Sequence, residues 1–152
     1  MEKASLQEQC GIADCFGCGT ANKNGLAIKS YWEGDEAICA WQPKPYHCGA
    51  SRDTVCGGVI AALIDCHSVN LAIANAYKNE NRLPGSHPIL KYVTAQLNVS
   101  LMQPSPVDKP LQVRAKIVDT KGRKTWVQCD MVCEGKVCVK GEVLAIRIKE
   151  DS

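Results

Sequence analysis

The run CGGVIAALIDCHSVNLAIANAY, residues 56–77, decides the fold. It reads as one long helix whose Val59, Ile60, Leu63, Ile64, Leu71 and Ile73 fall on nearly every side. That distribution implies burial all round rather than along one stripe. Gly57-Gly58 mark the entry, where the first backbone N–H groups lack intrahelical partners and the helix dipole is positive. Such an end suits the negative charge that develops on a carbonyl oxygen during acyl transfer. One carboxylate, Asp65, stands in the middle, where a charge is costly unless it is paired or reactive. Ala61, Ala62, Ser68 and Val69 lie three and four residues away, with Ala72 a further turn on, so Asp65 sits on a strip of small residues. The Gly57 amide and Asp65 are roughly 12 Å apart at 1.5 Å per residue, too far for one reacting carbonyl to touch both. If both act, the helix start of one subunit meets Asp65 of another, which implies a symmetric dimer with composite sites.

Strands flank this helix. Residues 26–32 and 36–41 surround Gly34-Asp35 and read as a hairpin, which Pro43 and Pro45 end. Asp53 or Thr54 is placed to cap the helix, unless the Gly57 backbone serves alone. Pro84-Gly85 and Pro88 break the chain beyond it. In 92–102, Val93, Ala95, Leu97, Val99 and Leu101 alternate with Thr94, Gln96, Asn98 and Ser100, which predicts one buried and one polar face. Residues 111–117 repeat that period, and turns at Lys121-Gly122 and Glu134-Gly135 introduce strands over 124–133 and 136–148. Hairpin, helix and three or four antiparallel strands make an α+β domain whose sheet curves around the helix.

With 152 residues the chain is long enough for one domain with a real core. A net charge of +2 is too small to mark a nucleic-acid partner, and the polar opening MEKASLQEQC has no apolar signal segment. Asp65, His67 and Asn70 interrupt the apolar helix before it reaches membrane-span length, so the expectation is a cytoplasmic protein without a membrane partner. Ten cysteines are many for such a compartment, and most replace small apolar residues: Cys39, Cys66, Cys129 and Cys133 fall at core-type positions. Cys15 and Cys18, in CFGCG, could be half of a zinc site, with Cys10 as a third ligand and Cys48 or His47 as a fourth. No second such pair exists, and the run reads rather as a compact turn packing Phe16 on the domain, with no metal.

CFGCG, NGLAI, CGGVIAALID and VTAQLNVSLMQPSP, with the final strands, together resemble the hotdog-fold acyl-CoA thioesterases, in their PaaI-like branch. The resemblance spans about Cys15 to Ile148. It implies one long helix wrapped by a five- to six-stranded antiparallel sheet over 25–149, with 1–24 as a cysteine-containing segment packed on it. It further implies a homodimer or dimer of dimers, and hydrolysis of an acyl-CoA thioester to free acid and CoA without another cofactor. On it Asp65 is the catalytic carboxylate, as general base or nucleophile, and Gly57 and Gly58 polarise the thioester carbonyl. His47 lies about where relatives carry a polar residue ahead of the helix. Cys56 replaces the usual His before the glycine pair, and a thiol is a weaker donor; at a helix start it could also be a nucleophile. Ser68 could hold the water or the carboxylate, and Arg123 and Lys124, with Arg114, Lys116 and Lys121 nearby, could meet CoA phosphates. His67 points elsewhere on the helix and reads as a satisfied core histidine. An acyl-CoA binding module without turnover and an acyl-thioester hydratase or dehydratase remain alternatives.

Overall fold

The computed structural model describes residues 3–149. A short helix α1 (Leu6–Cys10) precedes a hairpin of β1 (Tyr31–Glu33) and β2 (Glu36–Trp41). A 3-10 turn (Pro45–His47) leads into α2 (Gly57–Asn79), and β3 (Tyr92–Leu101), β4 (Leu111–Lys121), β5 (Lys124–Cys133) and β6 (Lys136–Arg147) follow. All six strands form one antiparallel sheet in the order β1-β2-β4-β5-β6-β3. The sheet wraps α2, which packs on β2 and on every later strand. This is the hotdog architecture, with six strands.

Burial explains the seating of the helix. Leu63, Ile64 and Leu71 are fully buried, each worth about 1.5–3 kcal/mol relative to exposure. Beneath them, Gly141 of β6 has no room for a side chain, since a Cβ there would lie 2.4 Å from Ile64 Cγ2. The helix therefore rests directly on the strand backbone.

Several expectations need correction. The first strand is only Tyr31–Glu33. Residues 26–30 bond elsewhere: the Leu26 and Ile28 amides donate to the Phe16 and Gly17 carbonyls, and the Ser30 carbonyl accepts from Leu6. Ala27 takes a positive φ of 55°, which breaks any strand there. Cys56, not Asp53 or Thr54, is the N-cap of α2, and its side chain makes no capping bond. β3 has no buried face in this chain. It is the edge strand of the sheet, paired on one side with β6 and packed on α2. Phe16 is 60% exposed rather than packed on the domain.

His67 is the satisfied core histidine expected. Its ring is buried, with Nε2 2.8 Å from the Ala37 carbonyl and Nδ1 2.7 Å from Ser30 Oγ. The neutral tautomer fits both: Nε2–H donates to the carbonyl and Nδ1 accepts from the hydroxyl. Gln7 completes the network, donating from Nε2 to Ser30 Oγ at 2.9 Å and accepting from the Ser30 amide at 2.8 Å. Burial pushes His67 down to about 4, against about 6.5 in an unfolded chain. The folded state thus binds fewer protons, and this contribution to stability is complete above about pH 6.5 and lost as pH falls toward 4. The loss approaches about 3 kcal/mol. Urea unfolding at a series of pH values should show the slope in the wild type and a flatter one in His67→Gln. Equal slopes would remove His67 as its source.

Candidate active site

Asp65 is half-buried in the middle of α2, and Thr94 of β3 donates its hydroxyl to Oδ1 at 2.5 Å. One carboxylate oxygen is thereby oriented while Oδ2 has no hydrogen-bond partner among the described residues. Gly58, Ala61, Ala62 and Val69 on the same side are also partly or fully exposed. The small-residue strip is therefore an open face of an otherwise wrapped helix.

At the start of α2 the Val59 and Ile60 amides donate to the Cys56 carbonyl at 3.0 and 3.2 Å. The Gly57 and Gly58 amides have no acceptor among the described residues. A Cβ at Gly58 would meet only Cys56 Sγ, at 3.9 Å, so space is open beside this turn. The preceding loop is pinned by its backbone: Cys56 donates to the His47 carbonyl at 2.8 Å, and Gly49 to the Thr54 carbonyl at 2.9 Å. His47 is thus tied to the helix entry through main chain. Its ring lies against Trp41 and Tyr46, with centroids 5.0 and 4.7 Å away, and Nδ1 accepts from the Lys44 amide at 2.9 Å. Burial, then the Lys44 charge, hold its pKa below the ordinary histidine value. An Nδ1 that accepts from the Lys44 amide leaves the ring proton to Nε2.

Ser68 does not join Asp65. It is fully buried, with its hydroxyl toward the Cys129 thiol under the sheet and no hydrogen-bond partner among the described residues. Burial pushes Cys129 up to about 12, so that thiol stays protonated.

Arg123 is in the β4–β5 turn and lines a groove of about 390 Å³ together with Lys91, Arg147 and Lys149. Lys124 is not among its lining residues. Arg147 is held by Glu80 at 2.8 Å, and Arg114 is held away on the sheet by Glu36 and Glu33 at 2.6 and 3.2 Å. Sequence reading missed Lys91, Arg147 and Lys149, because the groove is assembled from both ends of the chain's second half. The only signal was register: Tyr92 pairs with Arg147. Thr94 is two residues further along β3 than Tyr92, about 7 Å at strand rise, while the groove's Arg147 side chain turns to Glu80 just past the end of α2.

Beyond Asp65, Val93, Leu97, Leu101 and Met102 expose 45, 37, 53 and 51% of their surface along the outer edge of the sheet. An open strand edge with such side chains is a template for another strand.

Among the described residues the cluster with metal-ligating atoms is Cys15, Cys18 and Cys66. Cys10, read from spacing as a third ligand, packs instead with Ile73, Tyr77 and Leu90. Hydrogen bonding from Cys66 draws Cys18 down to about 7, and the same contact drives Cys66 upward.

No family sequence model and no curated protein matches this chain. Solved structures do. A thioesterase superfamily protein from Shewanella loihica is 31% identical, with 80% of this chain and 91% of that one covered at a TM-score of 0.65. The PaaI protein of the Escherichia coli phenylacetic acid degradation operon is 13% identical over 82% of this chain and 81% of its own, at 0.65. A phenylacetic acid degradation-related protein from Ralstonia eutropha is 15% identical over 80 and 85%, at 0.66. The last two likenesses are likenesses of fold alone.

Proposed function

The chain belongs to the thioesterase superfamily, and from that premise we propose that it hydrolyses an acyl-CoA thioester to the free acid and CoA. The observation that carries the reading is Asp65 held by Thr94 on an open face of the core helix. Its carboxylate either takes a proton from the attacking water or attacks the carbonyl itself, giving a mixed anhydride that water then opens. The partnerless Gly57 and Gly58 amides accept the charge that gathers on the carbonyl oxygen. Cys56 supports that turn through its backbone, so loss of its thiol leaves the donors in place.

The two parts of the site belong to different subunits. Gly57 lies near Leu101, since a Cβ on it would be 3.2 Å from Leu101 Cδ1, whereas Asp65 lies at Thr94. Antiparallel pairing of β3 with its copy, about a two-fold near Leu97, runs the Leu101 end of each strand toward the Thr94 end of the other. The helix start of each chain then approaches Asp65 of the other. The groove of Lys91, Arg123, Arg147 and Lys149 is suited to the CoA phosphates. The cytoplasm, where free thiols stay reduced, is the compartment proposed for the enzyme.

Thiol release from acetyl-, phenylacetyl-, benzoyl-, hexanoyl- and palmitoyl-CoA, corrected for the protein's own cysteines, tests the reading. Turnover of one class supports it. Acyl-CoA bound without turnover of any would replace hydrolysis with a binding role. Leu97→Arg, at the proposed two-fold, should give a monomer by light scattering and lower activity at least tenfold, although Leu97 touches neither reacting group. A fully active monomer would refute the shared site.

A further inference from the structure

Three thiols that hydrolysis does not use converge where the N-terminal segment crosses α2. The sulfurs of Cys15, Cys18 and Cys66 lie within 4.8 Å of one another, and those of Cys15 and Cys66 are 3.7 Å apart. Thiolates bound tetrahedrally at about 2.3 Å from a zinc ion sit about 3.8 Å from each other. The observed spacing fits ligands around one ion. It is well outside the roughly 2.0 Å of a disulfide.

The chain around the sulfurs is shaped for them. The Gly19 amide donates to the Cys15 carbonyl at 2.7 Å and closes the turn. A Cβ on Gly19 would lie 2.5 Å from the Cys15 nitrogen, so the turn admits only glycine. Between the two turn cysteines, a Cβ on Gly17 would lie 2.2 Å from Cys66 Sγ. The sulfur of Cys66 therefore occupies the space that a side chain at 17 would need. Asn70, 3% exposed, sends Nδ2 to Cys18 Sγ at 3.2 Å and to the Cys66 carbonyl at 2.7 Å. A fixed N–H aimed at a ligand sulfur is the kind of outer contact that orients and tunes metal sites. The Asn70 Oδ1 is buried with no partner among the described residues. Cys15 alone of the three is exposed, so the cluster opens to solvent on its side.

We infer that Cys15, Cys18 and Cys66 form a three-thiolate zinc site, with Asn70 donating to the Cys18 sulfur and the fourth coordination position open on the Cys15 side. Binding moves no electrons. Three S–H bonds are replaced by three Zn–S bonds, and three protons leave to solvent, so affinity rises with pH. The ion cross-links the 15–18 turn to the middle of α2, one residue from Asp65, and goes beyond the hydrolytic reading without depending on it.

Zinc content of the reduced protein, followed by zinc titration of the stripped protein against a chromophoric chelator, tests the inference. One zinc per chain is expected, lost in Cys15→Ser, Cys18→Ser and Cys66→Ser and kept in Cys10→Ala, with circular dichroism to confirm folding. Cobalt titration of the wild type should give a thiolate-to-metal charge-transfer band. That measurement holds even if a core variant fails to fold, because Cys15→Ser, at an exposed position, should remove much of the band. Reduced protein that takes up no zinc from the chelator overturns the site. So does zinc retained in folded Cys15→Ser and Cys66→Ser, or isolation of the metal-free chain with two of these cysteines joined as a disulfide.

Discussion

Asp65→Asn should fold, dimerise and lose at least tenfold in the rate of thioester hydrolysis, a barrier increase of about 1.4 kcal/mol or more. The substitution is nearly isosteric, and its amide oxygen can still accept from the Thr94 hydroxyl that now bonds Oδ1. Only the charge and the basic lone pair disappear, so packing cannot explain the loss. The drop should fall on kcat rather than KM, since Asp65 acts on the reacting atoms and not on the CoA body. Cys56→Ala should retain most of the activity, because the Gly57 and Gly58 amides survive it. Full activity in Asp65→Asn would end the carboxylate mechanism, and parallel loss in Cys56→Ala would bring the thiol into the chemistry.

The second large effect concerns stability. Gly141→Ala places a Cβ 2.4 Å from Ile64 Cγ2 and 3.4 Å from the Cys129 carbonyl. Neither neighbour can yield easily: Ile64 is fully buried on α2, and Cys129 is paired in β5. The helix must lift from β6 or Ile64 must leave its rotamer, at a cost of about 1–3 kcal/mol. For a chain of this size each kcal/mol is about 2–4 °C in Tm, and Gly141→Val should cost more. A melting temperature equal to wild type would show that α2 is seated more loosely than these distances indicate.

What the sequence disclosed follows from local physics. The apolar run at 56–77 forms the long helix expected, and the turns at Gly34, Gly122 and Gly135 all take positive φ. Asp65, His67 and Asn70 do not cut that helix short of membrane-span length, and it is its burial that makes it a core helix. The failures are long-range. Period two in β3 is broken by a bulge between Thr94 and Gln96, and alternation in any case does not report whether a face is covered. Ser68 is one turn from Asp65 along the axis and offset from it by about 60°, on the opposite flank from Ala62, and that flank is the one the sheet covers. Leu26 and Ile28 look like strand residues because they are core residues, while their amides belong to the cysteine turn. That turn also hid the identity of its third thiol, since Cys66 is 51 positions from Cys15 and no local spacing points to it.

The network from Gln7 through Ser30 to His67 gives the beginning of the chain an unusual vulnerability. Loss of the residues up to and including Gln7 would remove three hydrogen bonds from Ser30, a fully buried residue. It would also take away Leu6, which is part of the main core cluster. An unmet buried amide costs about 1–3 kcal/mol, and the vacated leucine site adds about 2–5 kcal/mol by the scale of large-to-small core changes. Against a typical total of about 5–15 kcal/mol, shortening by a handful of amino acids could melt the whole molecule. Limited proteolysis should therefore give either intact protein or complete digestion, with no stable N-terminally clipped species between.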